Sequence, residues 1–83
     1  EAGKVRTRKK AIRHVVDAVS AAVEGKQNIR LAALHAAAPD DAAVMLKMAS
    51  ERVNPVEKHL AELSPVVGAH VGPGTVGLVW CTD

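Results

Sequence analysis

The sequence of 83 residues has very few aromatic side chains: one tryptophan, Trp80, and no tyrosine or phenylalanine. Little large-side-chain area is therefore available to bury, although helices rich in alanine can approach one another closely. Aromatic side chains interleaved with basic ones are also the usual platform on which nucleic-acid bases stack. Their near absence makes nucleic acid an unfavoured partner.

Cysteine and long apolar runs are equally scarce. The single cysteine, Cys81, cannot form an internal disulfide, which fits a reducing compartment. Because it lies in an apolar run, we expect a buried and unreactive thiol. No apolar run approaches the roughly 20 residues that a membrane-spanning helix needs. With no targeting segment after Glu1, we expect a cytoplasmic fragment of a longer protein, folded as a single domain over residues 1–83.

The net charge of +2 is small, but the basic residues are unevenly distributed. Six of the eleven form a run near the start of the chain: Lys4, Arg6, Arg8, Lys9, Lys10 and Arg13. The simplest interpretation of this run is a solvated helix start, although it could also meet a phosphate, an anionic head group or a partner macromolecule. Basic side chains at the start of a helix are repelled by the positive end of the helix dipole, so this cluster suggests that an anion comes close to it.

The first predicted helix runs from Thr7, which can cap it, to about Glu24. Residues 1–6 are expected to be extended or frayed. Apolar residues recur at helical spacing and form one stripe: Ile12, Val15, Val16, Val19 and Val23. Gly25 is well placed to close the helix in a left-handed conformation.

The rest of the chain alternates between strands and helices. The predicted elements are a buried strand Ile29–His35, a helix Pro39–Val53, an edge strand Glu57–Leu63, a short helical turn capped by Ser64, and a final strand Thr75–Cys81. The predicted inner face of the helix Pro39–Val53 is an apolar stripe of Ala42, Met45, Leu46, Ala49 and Val53. The final strand is dense in β-branched residues, which favours a central or well-covered position. The pattern predicts an α/β fold, a small two-layer sandwich with helices on one face of a short mixed β-sheet. The other face is expected to pack on another domain or on a second copy in a homodimer.

The segment Ala69–Gly77 concentrates the features that could form a site. Three glycines and a proline fall within six residues, directly after His70. Glycine permits positive φ and proline fixes φ, so the segment predicts a sharply turned loop. The loop can hold the imidazole of His70 at the edge of the sheet. A tight turn with an incidental histidine is the simpler interpretation of this local pattern.

Recognised catalytic and metal-binding spacings are absent from the sequence. The four histidines, His14, His35, His59 and His70, show neither an H-x₃-H nor an HExxH arrangement. There is no GxSxG nucleophile elbow, and the glycine segment lacks the Lys-Ser/Thr of a phosphate loop. We therefore expect no metal, no cofactor and no enzymatic activity from this chain alone.

Three segments resemble one known family. Ser64–Leu78, which contains His-Val-Gly-Pro-Gly, closely resembles the C-terminal signature of the DegV family of bacterial fatty-acid-binding proteins. Lys4–Ala11 is similar to the run that opens the family's C-terminal domain, and Leu34–Ala42 resembles its strand-to-helix junction. The matches occur in the family's order and cover nearly the whole chain. The resemblance implies a C-terminal domain whose N-terminal domain is missing.

The same resemblance implies a non-enzymatic lipid carrier. Its ligand would be a long-chain fatty acid, with the tail buried in the domain and the carboxylate held by His70, beside Gly72 and Gly74, at the junction with the missing domain. Arg6, or Arg8 if the alignment slips, would contact a fatty acid kinase that phosphorylates the bound lipid. The main alternative is a domain that docks a protein or nucleic acid through its basic run, with a purely structural glycine loop. An acyl- or phosphate-transferring enzyme completed by the missing domain is a third.

Overall fold

The computed structural model describes the backbone of residues 2–83 and the side chains of residues 8–83. Within this range, helices and strands alternate: α1 (Ala2–Ala22), β1 (Arg30–His35), α2 (Pro39–Val53), β2 (Glu57–Glu62), α3 (Pro65–Val71) and β3 (Val76–Cys81). The strands form one sheet of order β2-β1-β3. Because β1 pairs in parallel with β2 and antiparallel with β3, the sheet is mixed, as predicted.

The first helix starts earlier than the sequence pattern suggests. It begins at Ala2, so the expectation that the chain is extended up to residue 6 and that Thr7 caps the helix is wrong. The reason is local propensity, since alanine, lysine and arginine all favour helix and outweigh the single Gly3. At the other end, Gly25 adopts the predicted left-handed conformation, with φ of +78°.

The second helix has the predicted bounds and recognisable ends. Pro39 occupies the first turn together with Asp40 and Asp41, whose charges complement the helix dipole. Asn54 ends the helix in a left-handed conformation and donates its N–H to the Ser50 carbonyl at 3.0 Å. The next residue is a proline, which cannot continue the helix.

The core lies between one face of the sheet and the two long helices. Side chains alternate along β1, with Leu31, Ala33 and His35 buried on the helix-covered face. The helices contribute buried residues from their predicted stripes: Ile12, Val16, Val19 and Val23 from α1, and Ala42, Met45 and Ala49 from α2. The two-layer arrangement of helices on one face of a mixed sheet is therefore confirmed.

The positions of the strands correct two expectations. Because β1 is central, β3 is an edge strand and not a central one, and both Val79 and Trp80 are substantially exposed. The β-branched composition of β3 reflects packing on a pleated surface and does not reveal where in the sheet a strand lies. Cys81 is an exposed free thiol, not a buried one, because it faces away from the helices. The other edge strand, β2, is exposed throughout, as predicted.

None of the helices in the described part of the chain has the length and apolar character needed to cross a membrane. The helices instead owe their stability to packing of their apolar stripes against the sheet.

Met45 offers a direct test of the core. It is fully buried on α2, so Met45→Ala should lower the free energy of unfolding by about 2–5 kcal/mol, through lost burial and the cavity left behind. The adjacent Val44 is half exposed, and Val44→Ala should change that free energy by no more than about 0.5 kcal/mol. Urea unfolding monitored by circular dichroism compares the two variants. Equal losses of the free energy of unfolding in the two variants would contradict the assignment of Met45 to the buried face of α2.

Candidate functional site

The glycine segment forms a tight loop, Gly72–Thr75, between α3 and β3. Gly72 and Gly74 have φ of +95° and +90°, a region that favours glycine. The Gly72 N–H donates to the Gly68 carbonyl at 2.9 Å, and the Gly74 N–H donates to the Ala36 carbonyl at 2.7 Å. Both donors are used within the fold, so these two glycines shape the loop, and ligand contacts by them stay a prediction.

Thr75 braces the loop and joins it to the sheet. Its hydroxyl Oγ1 lies 3.0 Å from the Val71 carbonyl oxygen and 2.8 Å from that of Gly72. Its own carbonyl accepts the Ala36 N–H at 2.9 Å. Ala36 thus pairs with the loop through both its donor and its acceptor, which continues the antiparallel β1–β3 ladder by one residue.

His70 lies in the last turn of α3, just before the loop and not on it. The short helix is well defined by sequence, since Pro65 occupies its first turn and Ser64 Oγ accepts the Val67 N–H at 3.3 Å. The His70 side chain is exposed. It is therefore accessible to a ligand, and its role in binding one stays a prediction.

Arg8 links three parts of the chain that are distant in sequence. Its Nε donates to Asp41 Oδ2 at 2.8 Å, and its Nη2 donates to the Gly74 carbonyl. The Arg8 guanidinium is thus engaged inside the domain, although both charged side chains remain partly exposed. The side chain of Arg6, the other predicted partner contact, lies outside the described residues.

Sequence reasoning missed the role of Asp41, because it assigned that residue only to the dipole of α2. Arg8 and Asp41 are 33 residues apart, and no local pattern indicates that they meet. The contact depends on α1 and α2 packing side by side with their N-terminal parts close together.

His35 organises the junction between β1 and α2. It is the predicted polar end of the strand, it is buried, and its Nδ1 accepts the Ala38 N–H at 3.1 Å. This bond satisfies the N–H of Ala38, the residue that precedes α2 and whose own side chain cannot cap the helix. The His35 carbonyl accepts the Leu63 N–H at 2.8 Å, which fixes the chain where it leaves β2. These contacts give His35 a structural role.

Two mainly apolar cavities border the glycine loop. The first, of about 390 Å³, lies between α3 and the ends of β1 and β2. Its lining residues are Ala36, Ala37, Glu62, Leu63, Ser64, Pro65, Gly68, Ala69 and Pro73. The second, of about 260 Å³, lies between α1, α2 and the start of β3, and it is lined by Arg8, Ala11, Ile12, Val15, Met45, Thr75 and Val76. The loop thus contributes to the walls of both cavities.

A separate polar cluster occupies the helix-free face at the opposite end of β1. His59 Nε2 lies 2.7 Å from Glu57 Oε2, and Arg30 lies between Glu57 and Asp83. The hydrogen bond with His59, together with the charges of His59 and Arg30, lowers the pKa of Glu57. A hydrogen bond with Cys81 and the charge of Asp83 raise the pKa of Arg30. Glu57, His59 and Asp83 are exposed and Arg30 is partly exposed, and none of them lines either cavity beside the loop.

Among the described residues, no group of three or more histidine, cysteine, aspartate or glutamate side chains is arranged to hold a metal ion. The loop region offers an exposed imidazole, a guanidinium and apolar walls.

The whole chain, residues 1–83, matches the model of a family described as uncharacterised proteins of the DegV family. Among curated proteins, it is 38% identical over 77 residues to a DegV domain-containing protein of Streptomyces coelicolor, covering 92% of this chain and 27% of the relative. It is 32% identical over 78 residues to Protein DegV of Bacillus subtilis, covering 94% and 28%. The chain therefore spans little more than a quarter of the length of these relatives.

A solved structure shares the fold. The DegV family protein Cg2579 from Corynebacterium glutamicum superposes with a TM-score of 0.76 at 20% sequence identity. The match covers 93% of this chain and 29% of that one. The arrangement of helices and strands described above is thus similar to one part of that protein.

The backbone of the loop gives a testable prediction. Because Gly74 has φ of +90°, Gly74→Ala should lower the free energy of unfolding by about 1–2 kcal/mol through backbone strain. Gly77, in β3, has ordinary φ and open space around its Cα, so Gly77→Ala should be neutral or stabilising by up to about 1 kcal/mol. Thermal or urea unfolding of both variants measures the difference. A neutral Gly74→Ala would show that the loop relaxes freely.

The polar cluster predicts a pH effect. The lowered pKa of Glu57 means that its carboxylate stabilises the fold above the pKa it has in the unfolded chain. That small contribution is lost as the pH falls through the folded-state pKa. His59→Ala removes the main cause and should raise the pKa of Glu57, as followed by an NMR titration of its side-chain carboxyl. His14→Ala, on the exposed side of α1, is the control and should leave that pKa unchanged. An unaltered pKa in His59→Ala would refute the assignment.

Proposed function

The chain belongs to the DegV family, and from this premise we propose that it is a non-enzymatic binding domain for a long-chain fatty acid. One observation of the structure carries the proposal: the exposed imidazole of His70 directly precedes a braced loop whose residues line two mainly apolar cavities. A fatty acid needs both features, a polar donor for the head group and an apolar space for the tail.

In this proposal, His70 binds the carboxylate. A carboxylate that leaves water needs hydrogen-bond donors, and an imidazole N–H, especially when charged, is a strong one. The N–H groups of Gly72 and Gly74 are already used by carbonyls of the fold, so these glycines serve by keeping the loop turned. The remaining donors for the carboxylate come from parts of the protein beyond this chain, as the family resemblance implies.

The tail begins in the cavity between α1, α2 and β3. Its walls include Ile12, Val15, Met45 and Val76, and all four side chains are apolar. At about 260 Å³, the cavity lies slightly below the usual range of roughly 300–1,000 Å³ for complete ligand sites. A long acyl chain therefore needs further surface, which agrees with a chain that spans little more than a quarter of its relatives.

The protein partner in this proposal is a kinase that phosphorylates the bound fatty acid. The family resemblance assigns the contact to Arg6 or to Arg8. Because Arg8 is engaged by Asp41 and Gly74 within the domain, we assign the contact to Arg6. Exposed Lys9, which follows in the same run, adds positive charge to it.

Substitution of His70 in the complete protein tests the proposed function. His70→Ala should weaken fatty-acid binding by about 1–3 kcal/mol, because the carboxylate loses a strong donor. His14→Ala is the matched control, since His14 is also an exposed histidine on a helix. Titration with a fluorescent fatty acid gives both dissociation constants. If His70→Ala binds as tightly as the unmodified protein while remaining folded, His70 is not part of the site.

A further inference from the structure

The backbone of Gly74 is held by hydrogen bonds through both its N–H and its carbonyl. Its N–H donates to the Ala36 carbonyl at 2.7 Å, and its carbonyl accepts from Nη2 of Arg8. The first contact ties the loop to β1 and the second ties it to α1. Among the residues whose side chains the structure describes, Arg8 is the one that hydrogen-bonds this loop from the helical layer.

The shape of arginine explains how one side chain can do this. The guanidinium is a planar fork, so Nε and Nη2 can serve two acceptors in a single orientation. Asp41 accepts from Nε and thereby fixes the plane of the fork, while Nη2 meets the Gly74 carbonyl. A lysine keeps the charge but offers one nitrogen without a fixed plane, and it cannot reproduce both contacts with the same geometry.

The contacts of Arg8 matter more for the loop than for the stability of the whole domain. Both Arg8 and Asp41 are partly exposed, with 38% and 43% of their side-chain surface accessible, and an ion pair of this kind contributes little to global stability. The loop, in contrast, is a short segment with glycines of positive φ at two positions. The charge-assisted bond from Arg8 is the contact that joins it to α1.

We propose that Arg8 is a positioning residue, oriented by Asp41, that fixes the Gly74 carbonyl and so holds the Gly72–Thr75 loop in its ligand-competent shape. The loop follows His70 directly and supplies Thr75 to the cavity between the helices and the sheet. Arg8 therefore acts on the site through the loop and does not need to touch the ligand. The part of this inference that concerns ligand affinity rests on the proposed function, whereas the part that concerns loop order does not.

The test compares Arg8→Lys, Asp41→Asn and the control Lys10→Ala in the complete protein. Lys10 is an exposed residue of the same basic run. Amide hydrogen exchange of residues 72–76, measured by mass spectrometry, should accelerate about tenfold in Arg8→Lys, which corresponds to the loss of about one net hydrogen bond. Asp41→Asn should accelerate it less, because only the orientation of the guanidinium is weakened. Exchange in α1 and α2 and the midpoint of thermal unfolding should stay unchanged, and Lys10→Ala should have no effect.

Titration of the same variants with fatty acid completes the test. Affinity should fall about three- to tenfold in Arg8→Lys, in step with the faster exchange of the loop. Unchanged loop exchange in Arg8→Lys would overturn the positioning role, and so would faster exchange spread over α1 and α2. Faster loop exchange with unchanged affinity would overturn the link to the ligand. If even the unmodified protein binds no fatty acid, the proposed function fails, while the exchange data still decide whether Arg8 positions the loop.

Discussion

The structure around the candidate site depends on the backbone of Gly74, which is hydrogen-bonded both to the residue that follows β1 and to a side chain of α1. Its N–H donates to the Ala36 carbonyl, and its carbonyl accepts from Arg8. Gly74 lies between Pro73 and Thr75 and has φ of +90°. A glycine at this position allows such a backbone without a Cβ clash. Because these contacts fix the backbone of Gly74, one arrangement relative to α1 and α2 is set for the end of α3, the loop and the start of β3.

This constraint also explains why the site lies where it does. At the end of β1, the buried His35 accepts the N–H of Ala38, the residue before α2, and Ala36 pairs with the loop. Three elements therefore meet at this end of the central strand. Small residues such as Ala36 and Gly68 line the first cavity there. The opposite end of β1 carries exposed charged groups, including Glu57. A cavity of about 500 Å³ lies near that end, beside Ile29, but its lining is mainly polar.

Sequence reasoning succeeded where local chemistry decides the structure. Ser64 with Pro65 predicts the start of α3, and the apolar stripe through Met45 predicts the buried face of α2. It failed where the answer depends on distant parts of the chain. The edge position of β3 follows from which strand lies beside β1, and the exposure of Cys81 follows from which face lacks helices. The contact between Arg8 and Asp41 was equally invisible, because it requires two helices to pack before their side chains meet.

We have proposed that this domain helps to bind a fatty acid, with the loop after His70 as part of the site. This claim is tested most directly by mass spectrometry of lipids extracted with organic solvent from the purified, denatured complete protein. We expect co-purified long-chain fatty acid in an amount approaching one molecule per chain, and much less from a His70→Ala preparation. A protein that carries no fatty acid, and that takes none up when it is incubated with an excess before extraction, would contradict the claim.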